Sequence, residues 1–320
     1  MPSVVDALRT DLYQLTMAAG YFHRGLSAPV ATFEMFVRHL PRRRRYLLAM
    51  GLERVLEYLE RLRFTEEELA YLATVPALAE AMTPAFVSFL RELRFTGDVF
   101  AVPEGTVVFA EEPLVRIRAP LIEAQLVETF LLSTMNHATL IASKAARIVH
   151  AAGDAQVVEF GTRRTHPAAA IDAARAAYGA GMVGTSNVEA GLRYGIPVMG
   201  TMAHSWVMAH ASEEAAFEDF VKTFPGTAVL LIDTYDTVRG ARRAVQAAAG
   251  RLQGVRLDSG DLAVLAREVR RILDDHDCRD ARIVASGDLD EHSIAALRAA
   301  GAPIDIYGVG TKLVTSTDAP

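Results

Sequence analysis

The sequence predicts an α/β protein in which a helical and β-rich N-terminal domain precedes a parallel (β/α) barrel. This prediction rests on a helical pattern from residue 1 to about Phe95, short alternating stretches between Gly97 and Pro120, and strand-turn-helix units from Asp154 onward. About seven evenly spaced units favour a closed or nearly closed barrel, with an open doubly wound sheet as the alternative. We place the domains at 1–125 and 126–320.

Within the N-terminal part, several helix boundaries are visible in the sequence. Residues 65–68 have the pattern of a capping box, and residues 83–84 have that of a cap followed by a first-turn proline. Two apolar helices are predicted next, from about 122 to 136 and from 137 to about 151.

Composition narrows the class of protein. Hydrophobic residues make up 51% and charged residues 22% of the 320 residues, which is typical of a folded globular protein. The net charge of -6 argues against general affinity for nucleic acid or anionic lipid. Neither a membrane span nor a secretory signal is apparent, and the single Cys278 excludes an intrachain disulfide, so we expect a cytoplasmic protein.

Each predicted strand of the second half ends in a polar or Gly-rich turn. In barrels of this kind ligands bind at the carboxyl ends of the strands, so these turns should converge on one site. They are Phe160 to Arg164, Gly184 to Asn187, Gly200 to Ser205, Asp233 to Thr237, Arg256 to Asp261, Ser286 to Asp290 and Gly308 to Lys312.

The last of these turns suggests a phosphate site. Gly308 and Gly310 leave backbone N-H groups uncovered, and loops after the late strands of a barrel often hold a phosphate monoester. Gly287 adds a second small-residue turn on the neighbouring strand. The alternative interpretation is an ordinary tight turn.

Charged residues in two other turns suit a phosphorylated sugar and a flat acid. Arg256 and Asp258 combine a guanidinium with a carboxylate that can accept from hydroxyls; a helix cap and an ordinary ion pair are the alternative. Arg163 and Arg164 follow Phe160 and can clamp an anion beside an aromatic face, unless Phe160 is core and the arginines are solvated.

His204 lies at a strand end, where a hydrogen-bonded structural histidine is the alternative to a catalytic one. The chain has neither the paired spacing of a zinc site nor a G-x-S-x-G nucleophile elbow. Hydrolase functions are therefore disfavoured.

Five segments, in order along nearly the whole chain, share the pattern of one enzyme family. They are Thr10 to Met17, Phe33 to Arg38, Gly184 to Val188, Gly200 to Ser205 and Arg256 to Asp261. Through them the chain resembles nicotinate phosphoribosyltransferases. The resemblance implies a helical and β-sandwich N-terminal domain, an irregular barrel, and transfer of phosphoribose from phosphoribosyl pyrophosphate to nicotinate. It also implies Mg²⁺ on the pyrophosphate and coupled ATP hydrolysis.

The resemblance also implies roles for particular residues. Catalytic roles fall on His204, which ATP would phosphorylate, and on Arg256 and Asp258. The implied substrate-binding residues are Tyr13, Arg38, Phe160, Arg163, Thr185, Ser186 and Ser205. The implied phosphate-binding residues are Gly287, Asp288, Gly308, Gly310 and Thr311. No metal-ligating side chain is implied, and Tyr13 and Arg38 would come from the other subunit of a homodimer with shared sites.

Two features depart from the family pattern. The run 42–45 is four arginines, where relatives usually carry one arginine and then glycine before the tyrosine, and a solvated basic loop is the alternative. The chain also stops at Pro320, directly after the phosphate turn, whereas relatives continue; a shortened member and an incomplete chain both fit.

Three other functions remain as alternatives. Nicotinamide enzymes resemble this sequence but place an aspartate where Ser186 stands, and an anion there would repel a substrate carboxylate. Quinolinate enzymes lack the His204 motif and need more cationic residues. A non-catalytic ligand-binding relative is the third.

Overall fold

The computed structural model describes residues 7–41 and 44–315, which form a mixed α/β protein. The chain divides into two compact units, one running to Ser143 and the next beginning at Lys144. This division falls inside a long helix, whereas the sequence prediction placed its boundary between 125 and 126. Among the described residues no helix has both the length and the apolar character needed to cross a bilayer.

The first unit combines helices with two small antiparallel sheets. Strands β1, β5 and β3 form one sheet in that order, and β2 pairs with β4 in the other. Its elements are α1 (Leu12–His23), β1 (Val30–Phe36), β2 (Leu47–Leu48), α2 (Leu52–Arg61), α3 (Glu66–Leu72), α4 (Pro84–Glu92), β3 (Asp98–Ala101), β4 (Val107–Val108), β5 (Pro113–Pro120), α5 (Leu121–Leu126) and the start of α6 (Glu128–Ala152).

The expectation of a helical pattern up to Phe95 is wrong for the short β2 and for β1. Its side chains alternate between exposed and half-buried, and β1 runs antiparallel to β5 with Val30 opposite Pro120. The segment is rich in β-branched and aromatic residues, which suit a half-buried strand, and pairing with β5 outweighs any local helical preference.

The predicted helix starts are confirmed, whereas one predicted helix break is wrong. Thr65 Oγ1 accepts a hydrogen bond from Glu68 N, and the Glu68 carboxylate accepts from Thr65 N at 2.6 Å. Thr83 caps α4 with proline at its first position. The two predicted apolar helices meet at Val127 rather than at 136/137, because no glycine or proline interrupts α6 near residue 136.

Part of the arginine run is packed rather than solvated. Arg42 and Arg43 lie outside the described residues, but Arg44 is only 6% exposed and its guanidinium donates to the Leu140 carbonyl at 3.4 Å. Arg45 is exposed. A fully solvated basic loop is therefore wrong for Arg44.

The second unit is built from the predicted βα repeats. Its six strands are all parallel, in the order β7-β6-β11-β10-β9-β8. Its elements are β6 (Gln156–Glu159), α7 (Pro167–Gly179), β7 (Gly184–Thr185), α8 (Val188–Tyr194), α9 (His204–Met208), α10 (Glu213–Thr223), β8 (Val229–Leu231), α11 (Thr237–Ala248), β9 (Gly254–Leu257), α12 (Leu262–Asp275), β10 (Arg282–Ala285), α13 (Glu291–Ala299), β11 (Ile306–Val309) and α14 (Thr311–Val314).

The two edges of this sheet approach each other through side chains. Beyond β7, Val198 forms a parallel bridge with Thr185, and the chain then leads to His204. Beyond β8 lies Thr234, whose hydroxyl is 3.2 Å from His204 Nδ1. The parallel sheet is confirmed, and its main-chain closure into a full barrel stays a prediction.

Helix α11 packs closely against the end of β8. A Cβ added at Gly240 would lie closer than 3.0 Å to the carbonyl oxygen of Ile232, the residue just before Asp233. The absence of a side chain at Gly240 therefore sets how near α11 comes to this strand end.

We predict that Gly240→Ala destabilises the second unit although alanine favours helix. Overpacking costs about 1–3 kcal/mol, more than the roughly 1 kcal/mol gained in helix propensity. The control is Gly20→Ala in α1, where a Cβ meets nothing within 4 Å, and it should stabilise its helix by about 0.5–1 kcal/mol. Hydrogen exchange resolved by peptide measures both, and a gain in protection at Gly240→Ala would contradict the close-packing account.

Candidate active site

A cavity of about 570 Å³ opens at the carboxyl ends of the strands of the second unit. Six of the seven strand-end turns contribute to its wall. The lining residues are Phe160, Thr162, Arg163, Arg164, Ser186, Gly200, Thr201, Met202, Ala203, Arg256, Asp258, Ser286, Gly287, Asp288, Gly308, Gly310 and Thr311. Turns that are far apart in sequence therefore meet around one space, as parallel strands require.

Most of the sequence-predicted site residues lie on this wall. His204 does not line it but lies beside it, with Nε2 3.9 Å from Asp258 Oδ2. Ser205 is exposed in the first turn of α9, and Thr185 is fully buried. Tyr13 and Arg38 belong to the first unit.

Arg256 is held by partners from three turns. Its Nη1 donates to Thr201 Oγ1 at 2.7 Å and to the Met202 carbonyl at 3.0 Å. Its Nε donates to Ser286 Oγ at 3.1 Å, and its Nη2 lies 3.4 Å from Asp258 Oδ1. A guanidinium with this many partners keeps one orientation, so it presents a fixed positive charge to the cavity.

Asp258 is fixed through both its main chain and its carboxylate. Its N-H donates to Asp233 Oδ2 at 2.8 Å, and Ser259 Oγ donates to the same oxygen at 2.6 Å. Ser286 Oγ donates to Asp258 Oδ1. Burial by itself would raise the pKa of Asp258, but the Ser286 hydrogen bond and the positive charge of Arg256 lower it below its usual value. Asp258 is therefore an anion at neutral pH.

The two ring nitrogens of His204 face different partners. Nδ1 contacts the Thr234 hydroxyl, while Nε2 lies 3.9 Å from Asp258 Oδ2. The side chain is 40% exposed. In a neutral imidazole one nitrogen carries the proton and the other keeps a lone pair, which suits a nucleophile.

Glu159 organises the first two turns from inside the protein. Its carboxylate accepts from Gly161 N and from the Thr185 hydroxyl, and that hydroxyl accepts from Asn187 N at 2.9 Å. Burial raises the pKa of Glu159 despite these hydrogen bonds. Thr185, an expected substrate ligand, thus holds the turn together, and its contact with substrate stays a prediction.

The sequence did not point to Ser286, Thr201 or Glu159 as site residues, and it left Asp233 open between a ligand-binding carboxylate and a helix cap. All but Glu159 lie in the strand-end turns that it singled out, and Glu159 is the last residue of β6. Their position in a strand-end turn was the only feature of the sequence that could have indicated these residues. The packing of adjacent strands determines which polar side chains of a turn face the neighbouring turns.

A second group of predicted residues lies in the first unit. Tyr13 and Arg38 line one cavity of about 510 Å³ there, together with Phe36, Ser133 and Asn136 among others. Tyr13 is 48% exposed and its hydroxyl lies 3.3 Å from Glu128 Oε1. The two residues predicted to serve another subunit therefore line the same cavity.

Family comparisons agree with this geometry. Residues 8–136 match the model of the nicotinate phosphoribosyltransferase N-terminal domain, and residues 155–319 match that of the nicotinate phosphoribosyltransferase family. The chain belongs to the nicotinate phosphoribosyltransferase family.

Individual relatives support the assignment. Nicotinate phosphoribosyltransferase pncB2 of Mycobacterium tuberculosis is 49% identical over 99% of this chain and 68% of its own length. The Bacillus subtilis nicotinate phosphoribosyltransferase is 47% identical over 98% of this chain and 64% of its own length. The structure of human nicotinic acid phosphoribosyltransferase matches with a TM-score of 0.86 at 30% identity, covering 94% of this chain and 72% of that one. The chain thus spans about two thirds of these relatives.

We predict that Ser286→Ala raises the pKa of Asp258, because it removes a hydrogen bond that favours the carboxylate. A carboxyl with a lowered folded-state pKa contributes stability above its unfolded pKa of about 3.9 and loses it as the pH falls through the folded value. This contribution should shrink in the variant. Carboxyl-carbon NMR titration measures the pKa directly.

The matched control is Ser259→Ala, because Ser259 donates to Asp233 and not to the Asp258 carboxylate. It should leave the pKa of Asp258 closer to the wild-type value than Ser286→Ala does. Equal shifts in the two variants would show that the Ser286 hydrogen bond has no special role.

Proposed function

We propose that this chain transfers the phosphoribosyl group of phosphoribosyl pyrophosphate to the ring nitrogen of nicotinate, which gives nicotinate mononucleotide and pyrophosphate. The observation that carries the proposal is one cavity that combines an aromatic ring, a fixed arginine-carboxylate pair and glycine-rich turns. A flat ring, a ribosyl cation and phosphates need these three features. A role in NAD synthesis and a cytoplasmic location accompany the proposal.

The nicotinate ring would lie against Phe160, with its carboxylate near cationic and neutral polar groups. Phe160 is half-buried on the cavity wall, and the exposed guanidinium of Arg163 follows three residues later. Ser186 lines the same cavity. An uncharged residue at this position permits a bound carboxylate.

Charge at the reacting carbon would be stabilised by Asp258. The pyridine nitrogen of nicotinate is already nucleophilic, so the reaction needs no strong base. The bond from the anomeric carbon to pyrophosphate breaks as the bond to nitrogen forms, and positive charge develops on the ribose. An anionic Asp258 favours that charge, while Arg256 offers a cation to the phosphate-bearing substrate.

Phosphate groups would bind where the wall is mostly main chain. Gly287, Gly308 and Gly310 give this wall its main-chain surface, and the N-H groups of Gly287 and Gly310 would bind the 5′-phosphate. Mg²⁺ on the pyrophosphate would neutralise its charge, and because phosphate oxygens and water can supply most of its ligands, it needs few from the protein. The described residues contain no group of three or more His, Cys, Asp or Glu that could hold a metal alone.

ATP coupling would act through His204. The ring nitrogen that carries no proton would attack the γ-phosphorus of ATP as the bond to ADP breaks, while Thr234 contacts Nδ1 and helps to orient the ring. Water later cleaves the N-P bond. The partial exposure of the ring and its position beside Asp258 support this role.

A homodimer with shared sites would complete the substrate pocket. Tyr13 and Arg38 line one cavity of the first unit, and both are exposed there. We propose that Tyr13 covers the nicotinate ring in the second unit of the partner subunit and that Arg38 reaches into the same site.

The rival functions have weaker support. The structure of the Pyrococcus furiosus nicotinate-nucleotide pyrophosphorylase matches with a TM-score of 0.78 at 26% identity, covering 97% of this chain and 72% of that one, a weaker match than the human enzyme. A nicotinamide enzyme would be favoured by an anion at position 186, which is serine here. A non-catalytic relative would not need Asp258 held as an anion.

The direct test is incubation with nicotinate, phosphoribosyl pyrophosphate and Mg²⁺, with and without ATP, while nicotinate mononucleotide is measured. Parallel reactions contain nicotinamide or quinolinate instead of nicotinate. Thermal-shift measurement with phosphoribosyl pyrophosphate then separates binding from catalysis. Binding without product in every reaction would contradict the proposed activity and favour the non-catalytic relative.

We predict that Asp258→Asn keeps the fold and lowers kcat by about 10²–10³-fold, because the amide loses the charge that stabilises the ribosyl cation. The control is Asp261→Asn, which removes the same charge three residues later. Asp261 caps α12, and asparagine caps a helix as well, so this variant should retain wild-type turnover. Wild-type turnover of Asp258→Asn would exclude Asp258 from the site.

We also predict that Ser186→Asp changes the choice between acid and amide. A carboxylate at this position repels the carboxylate of nicotinate, whereas it can accept a hydrogen bond from the amide of nicotinamide. The ratio of kcat/KM for nicotinate to that for nicotinamide should fall by about tenfold or more. Ser186→Asn is the matched control without the charge. Equal losses for both substrates would contradict a role in specificity.

A further inference from the structure

The ring of Phe160 packs directly on the main chain of Gly308. Strands β6 and β11 are neighbours, with Val309 opposite Glu159, and Phe160 N donates to the Val309 carbonyl at 2.8 Å. A Cβ added at Gly308 would lie closer than 3.0 Å to both Cδ2 and Cε2 of the Phe160 ring. Real Cβ atoms do not reach such distances, so the ring occupies the space that a side chain at this position would fill.

Gly310, two residues after Gly308, lies close to the main chain of Phe160. A Cβ at Gly310 would lie 2.8 Å from the Phe160 carbonyl oxygen. The contact with Gly308 therefore fixes the position of the Phe160 ring, and the close approach of Gly310 fixes the position of the Phe160 main chain. Gly308 is fully buried and its conformation is not left-handed, so the close approach explains the glycine better than backbone freedom does.

We propose that Gly308 is a positioning residue that acts through Phe160 and sets the depth of the slot for a flat aromatic acid. This proposal rests on the function proposed above and adds a role separate from phosphate binding. Any side chain at this position pushes the ring away from β11. Because Phe160 lines the cavity, the displaced ring takes space from the substrate.

The two roles of Gly308 predict different kinetics. A glycine that only approaches phosphate would, when replaced, raise the KM for phosphoribosyl pyrophosphate whatever residue occupies position 160. A glycine that seats the ring would raise the KM for nicotinate, and only while the ring is present. A double-mutant cycle with Phe160→Ala separates these cases.

The experiment measures both KM values and the thermal unfolding midpoint for wild type, Gly308→Ala, Phe160→Ala and the double variant. We expect Gly308→Ala to raise the KM for nicotinate about tenfold, equivalent to about 1.4 kcal/mol, and to change the KM for phosphoribosyl pyrophosphate less than about twofold. In the Phe160→Ala background the same substitution should change the KM for nicotinate less than about twofold.

The unfolding midpoints of the same four proteins test the contact between Gly308 and Phe160 without an activity measurement. Gly308→Ala should lower the unfolding midpoint by about 3 °C in the wild-type background and much less when the ring is absent. The control is Gly226→Ala, outside the cavity, where a Cβ meets nothing within 4 Å; it should match wild type in both measurements. If Gly308→Ala fails to fold, recovery of folded protein in the double variant supports the proposal, and failure of both overturns it.

Additive losses in the two backgrounds, or a rise confined to the KM for phosphoribosyl pyrophosphate, would overturn the positioning role. Failure of the underlying function has a different signature, since wild type itself would then make no nicotinate mononucleotide. In that case additive stability losses would contradict the packing of Phe160 on Gly308. Non-additive losses would support that packing but would contradict its role in nicotinate binding.

Discussion

Parallel pairing of six strands brings the carboxyl ends of β6 to β11 to one edge of a sheet. The candidate site depends on this register, because its lining residues come from six different strand-end turns. Arg256 shows the dependence most clearly, since its guanidinium reaches Thr201 in one turn and Ser286 in another. A change of register in β9 would separate it from both partners, and the fixed positive charge of the cavity would be lost.

Three acidic residues at these strand ends have different environments and therefore different tasks. Glu159 is buried, its pKa is raised by burial, and it joins the turns after β6 and β7. Asp233 is also buried and anchors the turn that carries Asp258. Asp258 keeps a third of its side chain exposed, and its pKa is lowered. The framework carboxylates thus hold the turns, while the accessible one faces the cavity as an anion.

Membership of the nicotinate phosphoribosyltransferase family rests on matches along both units, whereas the proposed chemistry rests on one cavity. Phe160 belongs to both, because it lies within the matched residues 155–319 and lines the cavity. The ring offers a flat surface to the cavity, and the backbone of β11 limits where that surface lies. In the proposed function, substrate choice would depend on this main-chain packing as well as on the polar groups that contact the substrate.

The sequence by itself determined the α/β class, the βα repeats, the helix caps at Thr65 and Thr83, and the turns that surround the cavity. These features depend on short-range periodicity and on glycine, proline and capping residues, which are visible locally. Tertiary structure decided that 30–36 is a strand, that Thr185 is buried against Glu159, and that Asp233 and Ser286 hold Asp258. Those outcomes depend on contacts between residues far apart in the chain, whose energies exceed local preference and leave no local pattern.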